Sequence, residues 1–212
     1  MQSLVLDTSG PFTTVLVISD GKLSTLSTVQ DRPAEHLHQQ IASCLDDVSL
    51  RPQDLSRIAV VIGPGSWTGL NIGVTTAKTL SQVLEIPLVP IRTLDALTIH
   101  CAPRVWGIMH AGRHRCYYAV YTESSKSEMD VLPINAVIEQ IDSETPPVGI
   151  IEYGETFSHH FTNHQHYQTT DRLSPEALMT AADETPALEG ESVKLLTPAY
   201  LQPSHVERDA SL

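Results

Sequence analysis

The chain has 212 residues, 41% hydrophobic and 18% charged, enough to bury a sizeable core as one large domain or two smaller lobes. Its net charge of −12 is uneven: residues 1–106 hold 7 basic and 9 acidic side chains, and residues 107–212 hold 6 and 16. The second half therefore carries −10, a surface that repels a phosphate backbone and argues against nucleic-acid binding by the chain alone.

No apolar run is long enough for a membrane span. The start Met1-Gln-Ser-Leu-Val-Leu-Asp7 lacks the basic and apolar regions of a signal peptide. Cys44, Cys101 and Cys116 form no C-x-x-C and cannot all pair, which fits a reducing, cytoplasmic setting.

Residues 3–7 read as a strand, Thr8-Ser-Gly-Pro11 as a tight turn, and residues 12–19 and 22–29 as a hairpin around Asp20-Gly21. Asp7 ends its strand, and its carboxylate can cap the turn. Residues 33–50 predict a first helix with Leu37, Ile41, Cys44, Leu45 and Val48 on one face, flanked by Ala34, His38 and Ala42. On that helix His36 and His38 point about 160° apart, so they do not chelate.

The β-branched run at residues 58–62 predicts a buried strand, and it leads into Gly63-Pro-Gly-Ser-Trp-Thr-Gly-Leu-Asn-Ile-Gly73. A second helix starts at Ser66 or Thr68, whose hydroxyls can cap it, and Pro87 bars its continuation. Its apolar and small residues cover an arc of about 200° on a helical wheel, enough for two neighbours. Within the arc Gly69, Gly73, Ala77 and Ser81 recur at i+4, so a second element can approach closely. Both neighbours can be intramolecular, or the row can be a docking ridge for a partner chain. Residues 87–91 add a strand, and Thr93 caps a short helix through residue 100. Strands and helices in this order make one lobe over residues 1–104.

Residues 105–110, 116–122 and 127–132 read as strands, with the loop Gly112-Arg-His-Arg115 between the first two. A helix at 133–141, a strand at 148–153 and a helix opened by Ser174-Pro175 follow. No internal repeat is visible. Residues 105–212 are expected to form a second lobe with a C-terminal return segment, loose from Pro203.

Signatures of catalysis are few. Lys78-Thr79 follow Ala77 in mid-helix, so no Walker loop is formed, and Gly69 comes one position late for G-x-G-x-x-G. A helix start after Ser66 can still hold an anion. His100, Cys101, His110, His114 and Cys116 match no zinc spacing, and neither do His159, His160, His164 and His166. No G-x-S-x-G is present. The expectation is no catalytic residue, no metal and no indicated cofactor.

The motif from Gly63 to Gly73, with Ala77-Lys-Thr-Leu80 behind it, resembles the signature of the TsaB (YeaZ) family; Leu4-Val-Leu-Asp-Thr-Ser9 and the helix near His36 fall where that family has them. The resemblance implies an α/β, actin-like (ribonuclease H-like) fold of two lobes, the first complete and the second reduced. It implies a non-catalytic partner of the TsaD-like catalytic subunit, which transfers threonylcarbamoyl to the adenosine beside the tRNA anticodon. A TsaE-like ATPase joins the complex, tRNA is met only through the complex, and a homodimer is a further option.

The family docks through its first two helices. Here the corresponding candidates are Leu37, His38, Ile41, Ala42, Gly69, Leu70, Gly73, Val74, Ala77 and Ser81. By the same resemblance to actin-like ATPases, Asp7, Thr8 and Ser9, with Gly65 and Ser66, are candidates for an anion or nucleotide such as ATP with magnesium. The chain departs from the family at Asn71 and Gln202, where arginine is usual, and at His110-Ala-Gly-Arg-His-Arg115, where Asp-Ala-Arg-Arg-Gly-Glu is usual. Two alternatives remain: a small-molecule or acyl kinase of the same superfamily, and a self-associating scaffold.

Overall fold

A computed structural model describes residues 1–30, 33–101, 104–143, 149–161 and 166–199. Strands β1 (Gln2–Asp7), β2 (Thr13–Ser19) and β3 (Lys22–Val29) run antiparallel, with the hairpin turned at Asp20 (φ 49°) and Gly21 (φ 75°). Strands β4 (Arg57–Gly63) and β5 (Leu88–Arg92) add parallel to β1, giving the order β3-β2-β1-β4-β5.

The second sheet repeats that plan. Strands β6 (Arg104–His110), β7 (Arg115–Thr122) and β8 (Asp130–Pro133) run antiparallel, and β9 (Gly149–Tyr153) and β10 (Tyr167–Thr170) lie parallel on the other side of β6. Helices occupy corresponding places. Helix α1 (Pro33–Asp47) joins the third and fourth strands of the first sheet, as α4 (Ile134–Asp142) does in the second. Helix α3 (Thr93–Thr98) follows the fifth strand of the first sheet, as α5 (Pro175–Glu184) follows that of the second. Among the described residues, the 18-residue α2 (Trp67–Leu84) has for its counterpart a 3-10 turn, Ser158–His160. The reduction of the second half lies there and in α4, which has 9 residues against 15 in α1.

Alternation along the strands sorts the core into layers. Leu4, Leu6, Val15, Val17, Ile58 and Val60 face α1 and α2, where Leu37, Ile41, Val74 and Ala77 meet them. Val5, Leu16, Ala59 and Val61 face the other way, into a core shared with α3, α5 and the second sheet's Ala119 and Tyr153. Trp106, Ile108 and Ile150 lie under α4 on the far side of the second sheet. Arg57 ties the return helix to the first sheet, donating to Ser3 Oγ at 2.8 Å and to the Ala182 carbonyl at 2.9 Å, and pairing with Asp183.

Several expectations change. Thr93 is the first residue of α3 rather than its cap, because its hydroxyl donates instead to the Pro64 carbonyl at 2.6 Å. Strand β10 and helix α6 (Glu191–Leu195) are short and polar, and carry too little periodicity to be read from sequence. Val148, His164 and Gln202 lie outside the described residues.

Candidate docking face

Helix α2 begins at Ser66, whose Oγ accepts from Gly69 N at 3.2 Å, and ends at Glu85 in the left-handed conformation (φ 55°). Its start is held to the β1–β2 turn. Ser66 N donates to the Ser9 carbonyl at 2.7 Å, and Thr8 Oγ1 donates to the Gly69 carbonyl at 2.7 Å. A Cβ on Gly69 would overlap the Thr8 carbonyl oxygen, and one on Gly73 would overlap Thr8 Oγ1.

The expected docking ridge is therefore an internal seam. Gly69, Leu70, Gly73, Val74, Ala77 and Ser81 are all buried within the chain, because α2 uses its small residues to approach its own sheet and turn. Ser81 Oγ donates to the Ile86 carbonyl at 2.5 Å, inside the helix end. On α1, Leu37 and Ile41 are likewise buried in the core below. His38 and Ala42 are exposed.

What α2 presents outward is a different set. Thr68, Thr75, Thr79, Gln82 and Val83 are exposed along α2, with Val83 75% exposed and Trp67 47% exposed at its first turn. Lys78 is the one ionisable side chain in α2, and it is drawn aside to the carbonyls of Lys194 and Leu196 at 2.8 and 2.7 Å. Asn71, half-buried, donates to the Trp67 carbonyl at 2.9 Å. The outer face of α2 is thus uncharged on a chain of net charge −12. A single charge in eighteen residues was the sequence signal for this face; the glycine row drew attention to the opposite one.

The candidate anion residues come together but face inward. Asp7, Thr8 and Ser9 are 2%, 0% and 1% exposed. Asp7 Oδ1 accepts from Ser9 N at 2.9 Å and from Ser9 Oγ at 2.6 Å. Burial holds the Asp7 carboxyl above the ordinary carboxylate range, against the Ser9 hydrogen bonds that favour its charged form. Gly65 packs on Ser9, where a Cβ would lie 2.5 Å from the Ser9 carbonyl oxygen. Ser66 is exposed but spends its N–H and Oγ on Ser9 and Gly69. This arrangement fastens helix to turn.

Among the described residues, no three His, Cys, Asp or Glu side chains are placed to hold a metal ion. His159 and His160 fall in a 3-10 turn with ring centres 4.0 Å apart rather than on a longer helix. Also among the described residues, no helix is long and apolar enough to cross a membrane.

Comparison with known proteins agrees with this architecture. Residues 27–145 match the family model for TsaD, tRNA N6-adenosine threonylcarbamoyltransferase. The tRNA threonylcarbamoyladenosine biosynthesis protein TsaB of Bacillus subtilis (strain 168) is 38% identical over 109 residues, 50% of this chain and 45% of that protein. An uncharacterised protein of Mycobacterium tuberculosis (strain ATCC 25618 / H37Rv) is 30% identical over 128 residues, 58% of this chain and 61% of that protein. The chain thus matches about half the length of these curated relatives. YeaZ from Pseudomonas aeruginosa shares the fold, with a TM-score of 0.74 at 20% identity over 94% of this chain and 99% of that one. With the TsaD family model covering more than half of its residues, the chain belongs to the family that this model describes, and it is similar to TsaB and to YeaZ, whose fold it shares.

Proposed function

We propose that this chain serves threonylcarbamoyladenosine formation in tRNA as a non-catalytic subunit, docking a TsaD-type catalytic subunit through the outer faces of α1 and α2. The observation that carries the reading is the composition of the outer face of α2. Eighteen residues of helix hold one ionisable side chain, already engaged, while Val83 is 75% exposed. Helix–helix docking desolvates such a face without stranding a charge. A TsaE-type ATPase joins the pair in this proposal. tRNA is met through the complex, because −10 of charge on residues 107–212 repels it. The proposed compartment is the cytoplasm.

A kinase reading asks Asp7, Thr8 and Ser9 to meet a nucleotide, and their burial and internal hydrogen bonds favour the docking role. The test is calorimetric titration of this chain against the TsaD-type subunit of the same organism. Val83→Glu and Ala42→Glu should each weaken binding about ten- to a hundredfold, roughly 1.4–2.8 kcal/mol. The melting of the lone chain should barely move, since exposed substitutions fall within about 0.5 kcal/mol. Full affinity in both variants sinks the reading. Self-association that collapses in Val83→Glu, with no binding to the TsaD-type subunit, would assign the face to a second copy.

A further inference from the structure

The β1–β2 turn is covered from the second sheet, and docking through α1 and α2 makes no use of that cover. Tyr153, the last residue of β9, is 5% exposed and packs in the core that the two sheets share. Burial and the Asp7 carboxylate hold its phenol above the ordinary tyrosine range. A Cβ on Gly10 would overlap that phenol oxygen and lie 2.9 Å from the ring carbon that bears it. Beyond Pro11, the Arg172 guanidinium lies 4.9 Å from the centre of the Phe12 ring, with Asp171 Oδ1 3.6 Å from Arg172 Nε. Two side chains from the β9–β10 edge thus grip the turn on both sides of Pro11.

We propose that Tyr153 and Arg172 form a latch that holds the cleft between the two sheets shut over the β1–β2 turn, with Gly10 kept bare to admit the Tyr153 hydroxyl. Deeper in the molecule the sheets are joined by a continuous apolar core with α3 and α5, which gives no discrete point of opening. At the turn the outer contact, Arg172 on Phe12, is directional and near solvent, the kind that opens locally without global unfolding. Pro11 is exposed, and the Arg172 side chain is 55% exposed. While the latch is closed, the Asp7–Ser9 turn is sealed and the sheets move as one body.

The test is native-state amide hydrogen exchange on the full chain. Tyr153→Phe keeps the ring and removes the hydroxyl; combined with Arg172→Ala, it should speed exchange at residues 9, 10 and 12 at least tenfold, leaving residues 3–6 of β1 unchanged. Gly10→Ala should produce the same local acceleration by wedging the cleft, and should cost less in a Tyr153→Phe background, where the oxygen it strikes is gone. Unchanged exchange at the turn overturns the latch. So does equal acceleration through β1, which would make these contacts ordinary core packing. If Gly10→Ala does not fold, the Tyr153→Phe/Arg172→Ala pair alone decides.

Discussion

Thr8 and Gly73 are in direct contact: a Cβ on Gly73 would overlap Thr8 Oγ1 and lie 3.3 Å from Thr8 Cβ, while the same hydroxyl donates to the Gly69 carbonyl at 2.7 Å. Glycines in its first two turns weaken α2 as a helix, and the close seating of α2 on the β1–β2 turn offsets that weakness.

Gly73→Ala tests this seating by its sign. In an exposed helix the change would stabilise by about 1 kcal/mol. Here the new methyl strikes a buried, hydrogen-bonded threonine, and overpacking of this kind costs about 1–3 kcal/mol. Thermal unfolding of the isolated chain should show a lower midpoint, and Gly73→Leu a larger drop. A raised midpoint would place Gly73 on an open surface.

Asp7 sets a pH dependence of unusual direction for a carboxylate. Burial raises its folded pKa above the unfolded value of about 3.9, so the folded state prefers the neutral acid. Stability from this group is greatest below the unfolded value and falls as pH rises through the raised folded one. Asparagine keeps an oxygen to accept from Ser9 and carries no charge. Asp7→Asn should therefore melt higher than the native chain at neutral pH, with the advantage vanishing below about pH 4. A variant less stable at neutral pH would mean that the charge is needed.

Arg57 joins β4 to β1 and α5. Arg57→Met keeps most of the aliphatic stem and loses the donors. Hydrogen bonds to charged groups contribute about 1.5–3 kcal/mol each, so the midpoint should fall and α5 should exchange amide hydrogens faster than α2. Equal protection of α5 in both proteins would show that apolar packing alone holds it.

The three thiols should differ in reactivity. Cys116 is buried, and desolvation pushes its pKa up to about 12; Cys44, on the inner face of α1, is buried and also raised. Cys101 is partly exposed, though burial raises it as well. Because the thiolate is the reactive form, alkylation at pH 8 followed by mass spectrometry should label Cys101 first. Cys44 and Cys116 should react on unfolding; early labelling of Cys44 would mean that α1 lifts readily from the sheet.

Local chemistry in the chain determined most of the elements: Asp20-Gly21 makes a hairpin, Ser66 and Ser174 cap helices, and unbroken apolar runs write β1, β2 and β4. The motif from Gly63 to Gly73 also carried the family, because its spacing is long and specific. The tertiary structure decided which face of α2 is inside. A wheel records that small residues share a side, and a close approach looks the same whether the neighbour is Thr8 or another chain. The repeated strand order of the two sheets is equally absent from the sequence, since topology constrains pairing and burial but not residue identity. Contacts such as Tyr153 on Gly10 join positions over 140 residues apart, and no local periodicity encodes them. Only the folding of one sheet against the other brings them together.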